Sequence, residues 1–310
     1  MSWQVYRIVF GAKSPLHIGF HKLGFIQRTR YYITGRNMWG AITANLARTT
    51  PFKELLNKDK LEKLYTDVGN KILNEQVLVS YFFAAIDYSE PLLPCYTDEG
   101  LVYGSYPSEV FERLFIRSFG ETAIEPTCNT AEEGSLHETE FISPVIDEDN
   151  QQKQVYFVGY IFIKEGATYE GQTIGFGDGK IKINDAIEEI LVGGERKYGF
   201  GRLAVYNSEE MDDKGSLMFG SKLILNDTKV RLEIEKDRPI PFHLDIETKV
   251  QMKGDIEPLV GREWGEVTTS DGEKVIGAGQ RITEARICWV PGSILQEPKT
   301  LKIGPYGILE

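Results

Sequence analysis

The chain has 310 residues, of which 41% are hydrophobic and 26% charged, and carries 35 Lys plus Arg against 46 Asp plus Glu for a formal net charge of -11. That length predicts two domains with substantial cores, and the acidity excludes a protein that coats nucleic acid with a uniformly basic surface. Any polyanion site must therefore be local. The longest mostly apolar run, Val77 to Ile86, is about half of the roughly 20 residues that a membrane-spanning helix needs. The N-terminal residues lack the sections of a signal peptide, so the expectation is a cytoplasmic protein with no membrane partner. Cys95, Cys128 and Cys288 are odd in number and form no CxxC pair, which argues against a disulfide framework or a thiolate zinc site.

Val5 to Gly11 alternates Val5, Arg7 and Val9 with Tyr6, Ile8 and Phe10, which predicts a buried first strand. Ala12 to Arg30 has weak periodicity, holds Pro15, Gly19 and Gly24, and reads as a basic loop ending in a short strand. From Asn37 onward Met38, Ile42 and Leu46 recur at i, i+4 and i+8, predicting a helix to Arg48 that stops before Pro51. A second helix is predicted over Phe52 to Leu73, then the strand Val77 to Ile86. Asp87 to Gln154 is acidic and rich in turns, predicting long loops around one helix, Pro107 to Phe119. Val155 to Lys164 reads as a strand, Asn184 to Val192 as a short helix with Asn184 as its N-cap, and Arg202 to Asn207 as a strand. This order predicts an α+β unit of ferredoxin-like (RRM-like) type over residues 1–208.

Glu209 to Gly215 reads as a polar linker, and residues 209–310 as a second domain of strands and turns. Strands are predicted over Ser216 to Leu225, Lys229 to Glu235, Thr248 to Lys253 and Arg281 to Val290. Glu266 to Thr269 and Lys274 to Gly277 form a hairpin turning at Asp271-Gly272, a strong short-range signal.

The segment richest in chemistry is Gly193-Gly194-Glu195-Arg196-Lys197-Tyr198-Gly199-Phe200-Gly201-Arg202. Gly193, Gly194, Gly199 and Gly201 let main-chain amides approach a ligand, while Arg196, Lys197 and Arg202 supply local positive charge. That combination suits a phosphate backbone. Tyr198 and Phe200 add faces for base stacking, worth about 1 to 3 kcal/mol each where used. The bland alternative is a glycine-rich hairpin with solvated charges. Gly194 and Gly199 have P-loop spacing, but Phe200-Gly201 replaces the Lys-Ser/Thr pair that the motif requires. A dinucleotide fingerprint would have to follow a strand and open a helix, the reverse of the order here.

Leu16-His-Ile-Gly19 after the first strand, followed by Tyr32-Ile-Thr-Gly-Arg-Asn-Met-Trp-Gly40-Ala-Ile42 opening a helix, resembles the "hiG" turn and "yipG..l.GalR" pattern of the RAMP superfamily of CRISPR-associated proteins. The glycine-rich segment resembles that superfamily's signature loop. Thr127, Thr130-Ala131, Gly134, Leu136 and Glu140 resemble its "tgta.eg.L...E" stretch, and Val290-Pro-Gly-Ser293 its "pGS" strand start. With the glycine-rich loop near residue 200 and a further hundred residues beyond, the chain looks most like the subunit that caps the 5′ end of the guide RNA in type III effector complexes. Thr34 stands where the family usually has Pro, and Asn45 interrupts the helix motif.

The resemblance implies two ferredoxin-like domains, the second degenerate and mostly β. It further implies an RNA-binding structural subunit whose partners are the guide (CRISPR) RNA, the large polymerase-like subunit and the RAMP backbone subunits. The glycine-rich loop and the first-domain face would hold the 5′ tag. Carried over residue by residue, the resemblance implies that Gly193, Gly194, Gly199, Gly201, Arg196, Lys197 and Arg202 contact RNA phosphates, and Tyr198 and Phe200 join the candidate RNA-binding set as stacking faces. His17, His21, Lys22, Arg28, Arg30 and Arg36 complete the candidate RNA-binding set. No cofactor, metal or catalytic residue is expected.

Some RAMP proteins are metal-independent endoribonucleases, and His17 or His21 beside Lys22, with Tyr31 or Tyr32 along the chain, could act as general acid or base. Those enzymes place the glycine-rich loop near the C-terminus, unlike this chain. The target-cutting backbone subunits use an aspartate before the first helix, whereas Gly19 to Gly35 holds no acidic residue. His17 and His21 have i, i+4 spacing but no evident third ligand. The acidic runs Asp147 to Asp149 and Glu209 to Asp213 read as solvated loops rather than metal sites. A protein-only scaffold, its glycine-rich hairpin touching a neighbouring subunit, is the third reading.

Overall fold

A computed structural model describes residues 2–49, 58–125, 127–128, 130–211, 216–226 and 229–310. The first strand runs Trp3–Ala12 and lies inside an antiparallel sheet, with Tyr156–Lys164 on one side and Arg202–Met211 on the other. Beyond Tyr156–Lys164 come Val77–Val79 and Phe82–Ala85, and then Tyr32–Ile33 at the edge. Glu189–Leu191 closes the opposite edge on Arg202–Met211. The helical connection after the first strand thus reaches Val77–Val79 on the far side of Tyr156–Lys164, and the one after Tyr156–Lys164 crosses the first strand to the edge formed by Glu189–Leu191 and Arg202–Met211, the interleaving of a split βαβ pair.

Alternation of side chains sends the two faces of the first strand into different surroundings. Tyr6, Ile8 and Phe10 pack with Met38, Ile42 and Leu46 of the helix Gly35–Thr49 and with Leu64 and Val68 of the helix Lys58–Lys71. On the other face, Val5 joins Tyr160 and Phe162 in a cluster with Phe219, Leu232, Phe242 and Leu309. The sheet is thus a middle layer, with helices on one side and residues 216–310 on the other. The two halves share one of their two large cores, so the acidic stretch expected to separate them does not mark a break in packing. Its first residues, Glu209 to Met211, continue the sheet, and residues 212–215 lie outside the described residues.

Among the described residues the C-terminal part has no α-helix. It contains the sheet Leu217–Met218, Ser221–Asn226, Lys229–Ile234 and Lys299–Lys302, and a long hairpin of Ile256–Thr268 with Lys274–Trp289. The hairpin turns at Asp271-Gly272, where Thr269 N–H reaches the Glu273 carbonyl at 2.8 Å, and its strands run well beyond the short segments expected.

Other boundaries differ for local reasons. The first helix starts at Gly35 rather than Asn37, because Thr34 caps it: its carbonyl accepts from Asn37 N–H at 3.0 Å and its hydroxyl lies 3.4 Å from the same nitrogen. Of the predicted second helix, 52–57 lies outside the described residues. Val77 to Ile86 breaks into two strands at Ser80-Tyr81, where Tyr160 N–H donates to the Ser80 hydroxyl at 2.7 Å in place of a ladder carbonyl. Asp87 to Gln154 is not mainly loop: small hairpins such as Pro94–Thr97 with Gly100–Tyr103 and Val145–Glu148 with Gln151–Gln154 surround a helix shortened to Ser108–Phe115. The helix predicted from Asn184 is Ile183–Ile187, with Lys182 at the cap position, because the next residues join the sheet edge.

Candidate nucleic-acid interface

The glycine-rich loop is pinned to the turn after the first strand. Gly194 N–H donates to the His17 carbonyl at 2.9 Å, Gly201 N–H to the Pro15 carbonyl at 2.7 Å, and Lys13 N–H to the Arg202 carbonyl at 2.9 Å. A Cβ at Gly193 would lie 2.2 Å from the His17 carbonyl oxygen, and one at Gly201 2.1 Å from that of Val192. Both have positive φ, +81° and +89°. These two glycines therefore serve the contact between protein segments, and their bareness faces inward. Gly199, also at positive φ, has open space where a Cβ would stand.

The loop consequently divides into an inner and an outer part. Phe200 is buried with its ring 5.3 Å from that of Phe141, so it packs rather than offering a face. Arg196, Lys197, Tyr198 and Gly199 stand exposed, the first three in a single 3₁₀ turn entered through Glu195 in the left-handed region. Arg196 folds back so that Nε donates to the Gly193 carbonyl at 3.0 Å. Partial burial, with Arg48 beside it, pulls its guanidinium below the ordinary arginine value. Arg202 is held by Glu189 through two hydrogen bonds of 2.7 and 2.9 Å, which neutralises it.

The basic residues of the first loop separate in the same way. Residues 19–29 form a hairpin, Gly19–Leu23 with Ile26–Thr29, turning at Gly24. His17 is buried, and its Nδ1 donates to the Glu140 carbonyl at 2.7 Å. The Glu140 carboxylate takes Arg28 at 2.7 Å and lies 3.3 Å from Thr29 N. Arg30 is buried against Glu257, and Arg36 reaches Glu263 at 2.8 Å and Glu284 at 3.1 Å. Only His21 and Lys22 of this group remain in the open, on the exposed strand of the hairpin, and neither has an ion-pair partner among the described residues.

The structure therefore brings Arg196, Lys197, Tyr198 and Gly199 together as an exposed turn and gives Arg28, Arg30, Arg36 and Arg202 to carboxylates. His17 and Phe200 lie beneath that turn. Sequence patterning does not reveal Glu140, the last residue of the "tgta.eg.L...E" stretch, as the tie between the hairpin and the His17 turn. Nor does it reveal Arg48 or the Arg202–Glu189 pair. The latter follows once Glu189–Leu191 is seen as the strand facing Arg202.

The histidine and tyrosine groups do not assemble as an acid–base pair. The Tyr31 hydroxyl donates to Glu112 at 2.7 Å, and burial pushes both Tyr31 and Tyr32 well above the usual tyrosine range. Among the described residues no group of three or more His, Cys, Asp or Glu could hold a metal ion, and the three cysteines are unpaired. Glu209 pairs with Arg7 at 3.2 Å. No described helix is long and apolar enough to cross a membrane.

The chain is similar in shape to chains of the type III-B Cmr-beta. One, solved by cryo-EM bound to cognate target RNA and AMPPnP, matches with a TM-score of 0.48 at 12% identity, over 94% of this chain and 86% of that one. A second, bound to cognate target RNA, gives 0.46 with the same identity and coverage. A third, from the apo state, gives 0.38 at 12% identity over 67% of this chain and 98% of that one. No family model and no curated protein matches. All three TM-scores are below 0.5, and the functional reading rests on the residues of this chain.

Proposed function

We propose that the protein is a cytoplasmic RNA-binding structural subunit of a type III CRISPR effector ribonucleoprotein, and that its glycine-rich loop holds the 5′ tag of the guide RNA. In this reading the chain comprises two ferredoxin-like domains, 1–208 and a degenerate 209–310, and it contacts the large polymerase-like subunit and the RAMP backbone subunits. The observation that carries it is the division of the loop: Gly193 and Gly201 anchor it to the Pro15 to His17 turn while Arg196, Lys197, Tyr198 and Gly199 face solvent. In a chain of net charge -11, an exposed turn carrying two cations and an aromatic ring is a local polyanion site. The strand order of residues 1–208 supports the first ferredoxin-like unit.

The first-domain face contributes less than the family resemblance implies, because residues 216–310 cover most of it. The endoribonuclease alternative loses its general base at His17, whose Nδ1 is occupied and whose ring is buried. The test is retention of a single-stranded repeat RNA by the full chain. Arg196→Glu with Lys197→Glu should reduce retention by a large factor and flatten its salt dependence. Unchanged retention rejects the loop as the site, and metal-free cleavage of the RNA that His21→Ala abolishes would restore the enzyme reading.

A further inference from the structure

One corner of the sheet face opposite the helices is left uncovered by residues 216–310. There Val9, Ala85 and Val158 form a small buried cluster apart from the two large ones, with Tyr156 packed against it. Tyr206 and Tyr88 complete a triangle of rings: centroids are 4.9 Å apart for Tyr156–Tyr206, 5.3 Å for Tyr88–Tyr206 and 6.0 Å for Tyr88–Tyr156. Interplanar angles of 51 to 72° mean that no ring lies flat on another. Tyr206 is 56% exposed and Tyr88 41%. Tyr206 owes its place to a bulge: Val9 faces Asn207 and Phe10 faces Val205, leaving Tyr206 as the extra residue. Bulges of this kind re-aim a side chain at the cost of a ladder position.

This corner continues from the glycine-rich loop. Arg202 N–H donates to the Ser14 hydroxyl at 2.9 Å, next to the Lys13 to Arg202 main-chain bond. The Lys13 ammonium and the Tyr156 ring lie 4.0 and 3.9 Å from the point where Gly11 would carry a Cβ. A cation is thus seated beside the tyrosine nearest the loop. Arg7 offsets the Glu209 carboxylate by pairing with it, and donates to the Tyr88 and Ser89 carbonyls, fixing the loop that carries Tyr88. Asp87 and Glu90 flank Tyr88, so that end of the corner accommodates an uncharged ring rather than a phosphate.

We propose that Tyr88, Tyr156 and Tyr206 form a nucleobase-stacking platform, with Lys13 as the phosphate contact that links it to the glycine-rich loop. The inference rests on the RNA-binding reading above and adds where the bases go. A single strand passes from the exposed turn over Lys13 onto the tyrosines. Stacking on exposed aromatic faces tolerates any base sequence, and a phosphate contact carries no sequence information either.

The test is equilibrium binding of the full chain to a single-stranded oligoribonucleotide carrying a fluorescent purine analogue, measured across a salt series. Tyr206→Ala should weaken binding about tenfold, the effect of losing one stacked base, relieve the fluorescence quenching and leave the salt slope unchanged. Tyr206→Phe, which keeps the ring, should bind within about twofold of wild type. Lys13→Ala should reduce the slope by about 0.7, one phosphate on a single strand. Wild-type binding with Tyr206→Ala and Tyr88→Ala indistinguishable from it overturns the platform and leaves the loop reading standing. Absence of any binding by the wild type overturns the RNA reading itself. A hexa-arginine peptide bound by wild type and not by Tyr206→Ala, with RNA affinity unchanged, would assign the corner to a basic protein segment and also overturn the proposal.

Discussion

The hydroxyl of Tyr81 donates a hydrogen bond to Nδ1 of His243 at 2.7 Å, and through it the break in the central sheet is tied to the C-terminal part of the chain. His243 passes its Nε2–H to Glu257, and Glu257 also takes Arg30. Both ring nitrogens are satisfied in the neutral imidazole, one accepting and one donating.

The chain Tyr81–His243–Glu257–Arg30 makes stability depend on pH in a stated direction. Complete burial, the largest influence, pulls His243 below the usual histidine value, against the Glu257 carboxylate, which raises it. Burial raises Glu257, but the His243 hydrogen bond and Arg30 overcome it and hold the carboxyl below its ordinary value. For either group the unfolded chain takes up the proton first as pH falls. Stability should therefore decline as pH drops below about 6.5, the unfolded histidine value, and further below the ordinary glutamate range as Glu257 protonates. Urea midpoints between pH 7 and 5 check this. His243→Gln should lower the midpoint at pH 7 and flatten its decline over that window; an unaltered decline would mean that His243 is not the titrating group. Glu257→Ala strands Arg30 and should cost about 3 to 5 kcal/mol.

Glycines of one loop should differ in sensitivity. Gly201→Ala places a methyl 2.1 Å from the Val192 carbonyl oxygen at a φ of +89°, whereas Gly199→Ala has the same backbone problem at +83° with open space around it. The second change should cost about 1 to 2 kcal/mol from the left-handed backbone alone. The first should cost more, because main-chain atoms must move and the Val192–Gly201 hydrogen bond goes with them. Equal costs by chemical denaturation would contradict the inner and outer division of the loop.

Cations of that loop should likewise separate. Lys197 stands exposed and Arg202 is neutralised by Glu189. Lys197→Ala should therefore reduce the salt slope of oligoribonucleotide binding by about 0.7, while Arg202→Ala leaves it within experimental scatter. Filter binding over a salt series decides, and the reverse ranking would move the phosphate contact to Arg202.

What could be read from the sequence follows from how local each determinant is. The first strand, the helix built on Met38, Ile42 and Leu46, and the Asp271-Gly272 turn depend on neighbouring residues, and all are present. The glycine-rich loop is legible as an element, but its inward and outward residues depend on the Pro15 to His17 turn, about 180 residues earlier in the chain, a distance that periodicity does not span. Arg30 and Arg36 looked free for the same reason: Glu257, Glu263 and Glu284 lie more than 200 positions away. Layering was hidden as well, since Val5 and Tyr6 are both apolar and nothing in their alternation says which face meets helices.

Arg36 shows how a residue read as an RNA contact can be assigned a different role and tested for it. It sits in the first turn of its helix, where the macrodipole disfavours a cation. Glu263, Glu284 and the Thr283 hydroxyl, all on the long hairpin, hold its guanidinium, which also lies 4.3 Å above the Tyr306 ring. Gly261 makes room for it, since a Cβ there would come within 2.2 Å of Cζ. Charged hydrogen bonds of this kind contribute about 1.5 to 3 kcal/mol, and here they join the hairpin to the body of the protein. Arg36→Ala should therefore raise amide hydrogen exchange in Ile256–Thr268 and Lys274–Trp289 selectively, leaving Trp3–Ala12 protected and the salt slope of RNA binding unchanged. A loss of slope with undisturbed hairpin exchange would return Arg36 to the RNA interface.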